Sequence, residues 1–307
     1  MRIAVMGTGG VGGDFGGRLA QAGEDVTFVA RGANLDALRT RGLTVQSRVT
    51  GDFTQMVSVT DDPDSIGPVD LVLLGVKTYD LDEAAARLPP LIGTDTMVLP
   101  LQNGIDASER LARILGPAPV LGGVTYVIAT RVSPGVIVHL ALNKIVLGEY
   151  PSGAGQRTER VRDGLQRAGV TAEVHPDIRV PLWEKFVVLA ASGGAMAMTR
   201  LPIGPIRDCP ETMTLPRGVM DEAVAVGRAL GIPLPDDCVE RHSTVLAGLD
   251  RSARGSMSHD ILGGRRLEIE ALNGTVVRLG RQARVPTPLN FAVYAALKPY
   301  AEGGSPS

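Results

Sequence analysis

Six residues near the start of the chain, Gly7-Thr8-Gly9-Gly10-Val11-Gly12, have the types and spacing needed to cradle a diphosphate. The short β-branched run Met1–Met6 precedes them, and small and apolar residues at helical spacing follow (Val11, Phe15, Leu19, Ala22). In a Gly-x-Gly-x-x-Gly turn the first glycine permits the tight turn and the second leaves room for a pyrophosphate. The third lets the helix pack closely on the sheet. The phosphates then rest on the free N–H groups of the helix N-terminus. A lone triplet is weak evidence, and a Gly-rich β–α turn can also hold no ligand. Here a strand precedes the turn, and a helix and a second strand, Asp25–Arg31, follow it, which is the context a dinucleotide site requires.

The tip of the second strand bears on which dinucleotide. NAD sites usually place Asp or Glu there to hold the ribose 2′-OH. This strand ends Val29-Ala30-Arg31-Gly32, and its nearest acids, Glu24 and Asp25, lie before it. The planar cation of Arg31 suits a 2′-phosphate, so NADP(H) is the expected cofactor. Other polar residues fall where ligands bind in α/β sheets, beyond the carboxyl ends of strands. Lys77 follows the apolar run Val69–Val76, and Asn103 follows Thr96–Pro100. Lys185 lies at the start of a hydrophobic helix, in Leu182-Trp-Glu-Lys185-Phe-Val-Val-Leu-Ala-Ala. Partial desolvation there lowers a lysine's pKa and makes it a better proton donor. Periodicity alone favours a lysine snorkelling from a helix end. In Leu267-Glu268-Ile-Glu270-Ala-Leu-Asn-Gly274, Glu268 and Glu270 cannot both share the core-facing stripe of Leu267, Ala271 and Leu272, so one of them is free to face a ligand.

The elements that must position these residues fall into two sets. Strand and helix signals alternate through the first half: the apolar runs at 69–76 and 96–100 read as central parallel strands, with a helix over 81–88 between them. Residues 43–60 alternate like exposed strands. Further strands are expected at 122–131, 136–142 and 144–150, with a helix over 156–168. From about Asp177 the strand signal fades, and 177–198, 211–230, 236–249, 267–284 and 289–298 read as helices. The fold class is therefore α/β: a Rossmann-type domain over 1–176, an all-helical domain over 177–302, and a disordered tail at 303–307.

Composition bounds the partners. The chain has 307 residues, 44% hydrophobic and 21% charged, with a net charge of −2, so neither nucleic acid nor an anionic membrane is expected. No signal peptide is expected, since the first strand opens the chain. The run Phe186–Met198 is short and interrupted by glycines, and reads as a buried helix. Cys209 and Cys238 have no CxxC spacing, and no two of the four histidines have helical metal-ligand spacing. Two free thiols in a reducing cytoplasm and no metal are the expectation.

Together these pieces resemble the ketopantoate reductase family (2-dehydropantoate 2-reductases) over essentially the whole chain. The matching elements are Gly7-x-Gly9-x-x-Gly12, Val76-Lys77-Thr78, Gln102-Asn103-Gly104, Trp183-x-Lys185, Ser256-Met257 and Glu268-Ile-Glu-Ala-Leu-Asn-Gly274. The resemblance implies NADPH-dependent reduction of ketopantoate to pantoate, in pantothenate and coenzyme A synthesis, by a cytoplasmic homodimer with its active site between the domains. It implies that Lys185 is the general acid, that Glu268 bonds the substrate hydroxyl, and that Ser256 binds the carboxylate. Asn103 would position both cofactor and substrate, with Lys77 and Arg31 as cofactor contacts. Three positions depart from the family: Leu189, Gly193 and Ile203 stand where it usually carries asparagine. A more apolar substrate site would suit another branched or aromatic 2-oxo acid, as in related D-2-hydroxyacid dehydrogenases. A non-catalytic NADP(H) sensor is a third reading, disfavoured by the retained Lys185, Ser256 and Glu268.

Overall fold

Alternation along the first strand sets up the layers. Ile3 and Val5 point to one face of the sheet and Ala4 and Met6 to the other, and all four are buried. The structure, a computed structural model, describes residues 1–304. Its strands are β1 (Arg2–Met6), β2 (Asp25–Val29), β3 (Leu43–Ser47), β4 (Phe53–Gln55), β5 (Ser58–Thr60), β6 (Leu71–Leu74), β7 (Met97–Pro100), β8 (Leu121–Ser133), β9 (Val136–Glu149) and β10 (Thr171–Val174). Its α-helices are α1 (Gly10–Gln21), α2 (Gly32–Arg41), α3 (Leu81–Ala85), α4 (Ala107–Leu115), α5 (Gln156–Arg167), α6 (Arg179–Thr199), α7 (Ile203–Asp208), α8 (Pro210–Ala229), α9 (Cys238–Gly248), α10 (Ser256–Leu262), α11 (Thr275–Ala283) and α12 (Pro288–Leu297).

Two compact units result: Met1–Gln102 with Asp106–Arg179, and Asn103–Ile105 with Val180 onward. In the first, an all-parallel sheet runs β5-β2-β1-β6-β7. The order reverses at β1, so the turn after β1 lies at the topological switch point where doubly wound sheets bind ligands. One face buries Ile3, Val5, Phe28, Leu71 and Leu73 against Phe15 and Leu19 of α1. The other buries Ala4, Met6, Val72 and Leu74 against Leu81, Ala85 and Leu111. A second, mixed sheet runs β10-β9-β3-β4, with β8 antiparallel to β9. Its Leu121, Ile137 and Ile145 join the α1 side of the core.

In the second unit the core centres on α6, whose Trp183 and Phe186 pack edge to face with ring centroids 5.4 Å apart. Ile105 packs on this core, which is why the Asn103–Ile105 tripeptide belongs to it. Among the described residues no helix is long and apolar enough to cross a membrane.

Several expectations are corrected. The two strands expected at 136–142 and 144–150 are one strand, β9, with Leu142 at φ 62°, where a bulge shifts the pairing with β8. The Leu142 carbonyl accepts from His139 Nε2 at 2.5 Å, which ties that bulge down. Leu43 and Val45 are buried rather than exposed, because β3 lies inside the second sheet. The helix expected over 267–284 begins as a π-helical segment, Glu270–Gly274, and α7, α10 and β10 carried too little periodicity to be read. In the expected tail, Gly303 and Gly304 donate to Tyr300 O and Gly264 O at 3.0 and 2.9 Å; residues 305–307 lie outside the described ones.

Candidate active site

The glycine turn has the geometry its spacing implies. Gly7 adopts φ 99°, and a Cβ there would lie 2.6 Å from the Val76 nitrogen. A Cβ at Gly9 would meet nothing within 4 Å, so the second glycine faces open space. One at Gly10 would sit 2.1 Å from the Ala129 carbonyl oxygen, and one at Gly12 2.2 Å from Gly7 O. The turn is thus pressed between β1, β6 and β8, and leads into α1 without an acidic residue in its first turn. Thr8 is buried and accepts a 2.5 Å hydrogen bond from Asn34 Nδ2, while Asn34 Oδ1 accepts from Gly135 N at 2.9 Å. Val11 packs on the core of the unit. Asn34 is a supporting residue the sequence did not single out.

Arg31 stands at the β2 tip, its side chain 60% exposed and paired with the equally exposed Glu83 at 2.9 Å. Such a pair contributes little and yields readily to a stronger anion. Lys77 follows β6 in extended conformation and opens the short turn Thr78–Asp80. The Gln102 amide, read in the sequence only as part of the Gln102-Asn103-Gly104 element, bridges the tips of β6 and β7 by donating to Leu74 O and Val76 O at 2.8 and 3.1 Å. Its Oε1 is buried with no hydrogen-bond partner, an acceptor waiting for a donor. Open space at Gly9, an uncapped helix N-terminus and an orphaned amide oxygen all fit a bound dinucleotide.

In the second unit, three of the expected residues meet. Lys185 Nζ donates to Asn103 Oδ1 at 3.1 Å, and Asn103 Nδ2 donates to Glu268 Oε2 at 3.2 Å. An ammonium only donates and a carboxylate only accepts, so the orientation of the amide between them is fixed. Lys185 sits in the second turn of α6, a helix whose buried residues surround most of its circumference. Although the residue keeps some exposure, its ammonium is enclosed. Desolvation lowers its pKa from 10.5 to about 8, against the opposing pull of the Glu268 carboxylate. Glu268 is 5% exposed and lies two residues before the π-helical segment Glu270–Gly274, a local irregularity frequent at functional sites. Glu270 instead pairs with Tyr294 and Lys298 at an exposed position.

Ser256 opens α10 in an exposed position, and among the described residues no hydrogen bond joins it to the Lys185–Asn103–Glu268 chain. Leu189 and Gly193 continue the Lys185 face of α6 at successive helical turns. A Cβ at Gly193 would come only within 3.6 Å of the Met257 Cε, so this face runs toward the start of α10, which carries Ser256. Ile203, in contrast, is fully buried against Ala195, Met196 and Ile206 and fills core.

The family profile described as Ketopantoate reductase PanE/ApbA matches residues 3–152, and its C-terminal counterpart matches 177–301. The chain is 31% identical to a 2-dehydropantoate 2-reductase of Pyrococcus horikoshii, covering 97% of both proteins. A crystal structure of 2-dehydropantoate 2-reductase from Geobacter metallireducens is 32% identical and superposes with a TM-score of 0.91, covering 97% of this chain and 99% of that one. A D-mandelate dehydrogenase solved with NADH and anilino(oxo)acetate shares the fold, with a TM-score of 0.90 over 98% of each chain at 20% identity.

Proposed function

The chain belongs to the ketopantoate reductase family, and from that premise we propose that it reduces 2-dehydropantoate to pantoate with NADPH. The observation that carries this reading is the Lys185–Asn103–Glu268 chain, a desolvated proton donor held beside two substrate-binding groups. When bound, NADPH supplies the hydride that adds to the 2-oxo carbon. Gly7 to Gly12 and the α1 N-terminus would hold its diphosphate, Arg31 would meet its 2′-phosphate, and Lys77 and Gln102 would line the region beyond the strand tips. Lys185 stabilises the charge growing on the carbonyl oxygen and then protonates it. With a pKa of about 8 it is mostly charged at neutral pH yet gives up its proton more easily than an exposed lysine. Asn103 aims the ammonium, Glu268 accepts the substrate hydroxyl, and Ser256 binds the carboxylate.

The apolar continuation of the Lys185 face through Leu189 and Gly193 favours a second reading, in which the substrate is another branched or aromatic 2-oxo acid. NADPH oxidation against ketopantoate, 2-oxoisovalerate and benzoylformate separates the two. A kcat/KM of about 10⁴ M⁻¹s⁻¹ or more for ketopantoate supports the first. Strong preference for another acid supports the second, and no turnover of any 2-oxo acid refutes both.

A further inference from the structure

A second cluster of reactive side chains lies in the helical unit, apart from the Lys185 chain. Glu184 on α6 meets Cys238 and His242 of α9, and one donor atom from each lies within 4.8 Å of the others. Cys238 and His242 are four residues apart, so one helical face presents both, a mixed Cys–His spacing that a search for His–His or Cys–Cys pairs passes over. Cys238 is completely buried, and His242 Nε2 is buried with no hydrogen-bond partner. An imidazole nitrogen in that condition has lost its water and gained nothing in return.

We infer that Glu184, Cys238 and His242 form a binding site for a borderline divalent transition-metal ion, Zn²⁺ above all. One thiolate, one imidazole and one carboxylate are a donor set that zinc accepts and that magnesium or calcium, which demand oxygen, do not. Bonds of about 2.0–2.3 Å in a tetrahedron separate donors by roughly 3.3–3.8 Å, so the cluster needs to close by no more than about 1.5 Å on binding. Three protein ligands leave the fourth position to water. Arg241 Nη2 holds Glu184 Oε1 at 2.5 Å, which orients the carboxylate and leaves its second oxygen for the ion.

Coordination takes the neutral imidazole of His242 and the thiolate of Cys238. Metal uptake therefore releases the thiol proton as the sulfur–metal bond forms. The ion would join the first turn of α9 to α6 at the residue next to Lys185, on a different face of the helix from it.

The test is titration of the chelator-stripped full-length protein with Co²⁺, then displacement by Zn²⁺. One Co²⁺ per chain is expected, with the intense absorption of a thiolate–cobalt bond and the visible bands of a tetrahedral ion. Proton release is followed in weak buffer, with about one proton per ion expected from the thiol. Cys238→Ser abolishes the thiolate absorption, and His242→Ala weakens binding by at least about tenfold. Absence of the thiolate band in wild type overturns the assignment even if the Cys238 variant fails to fold, as does His242→Ala binding with undiminished affinity. Binding that never saturates at one ion per chain also overturns it.

Discussion

The coupling between Lys185 and Glu268 can be tested by replacing the acid with its neutral isostere. Glu268→Gln keeps an oxygen that can accept from Asn103 Nδ2, so the chain of contacts can persist while the charge is removed. Two hydrogen bonds of 3.1 and 3.2 Å with one amide between them place the charges about 7 Å apart. At an effective dielectric of about 20, that separation corresponds to about 2.4 kcal/mol, or about 1.7 pH units. Residual solvent access reduces this, and a fall of about 1 unit is a fair expectation. The carboxylate raises the lysine pKa, so removing it moves Lys185 from about 8 down to about 7. The assay is kcat/KM for ketopantoate reduction by NADPH across pH 6 to 10, which reports groups on the free enzyme. In wild type the rate falls as pH rises through about 8, because the acid form is lost; in the variant the same limb moves to lower pH. A variant with lower rates but an unmoved alkaline limb would refute the coupling. A wild-type profile flat through pH 8 would refute Lys185 as the proton donor.

Other consequences are equally measurable. Lys185→Met should lower turnover by about 10²–10⁴-fold while leaving NADPH binding, read by fluorescence titration, nearly intact. The same change should raise stability at pH 7 by about 1–3 kcal/mol, because it removes an ammonium whose folded pKa of about 8 lies below the ordinary 10.5. The wild-type penalty is complete below pH 8 and fades toward pH 10.5, so the difference in urea-unfolding free energies should shrink over that window. Arg31→Ala should weaken NADPH by about tenfold or more and NADH little, since Arg31 gives up only an exposed pair with Glu83; equal losses would remove the 2′-phosphate assignment. Gly10→Ala gains helix propensity of about 1 kcal/mol but drives a Cβ to 2.1 Å from a backbone oxygen that cannot swing away. A net loss of stability by thermal melting is expected, and an unchanged melting temperature would mean that the turn is not pressed against β8.

Legibility in the sequence followed the range of each interaction. The glycine turn was readable because its chemistry is local: the φ of Gly7 and the close approach of Gly12 to Gly7 O lie within six residues, whereas the approach of Gly10 to Ala129 does not show in the sequence. Strands β1, β6 and β7 were readable because burial on both faces demands continuous apolar runs. From periodicity Lys185 was visible only as a lysine beside a hydrophobic run, which favoured a snorkelling residue. Its depressed pKa comes from enclosure by a helix whose neighbours are distant in sequence, and its partners Asn103 and Glu268 lie 82 residues before it and 83 after. The choice of Glu268 over Glu270 depended on a π-helical segment, and one residue of helical phase turns a side chain by about 100°. Asn34 and Glu184 have no local signature, and neither the Gln102 motif nor the Cys238–His242 spacing assigns a role: what singles these residues out is an unmatched or bridging polar atom in a buried place. Sequence determined which residues could do chemistry and which elements would carry them. Only the tertiary structure decided which of those side chains meet, and which lose their water, because both depend on packing between segments far apart in the chain.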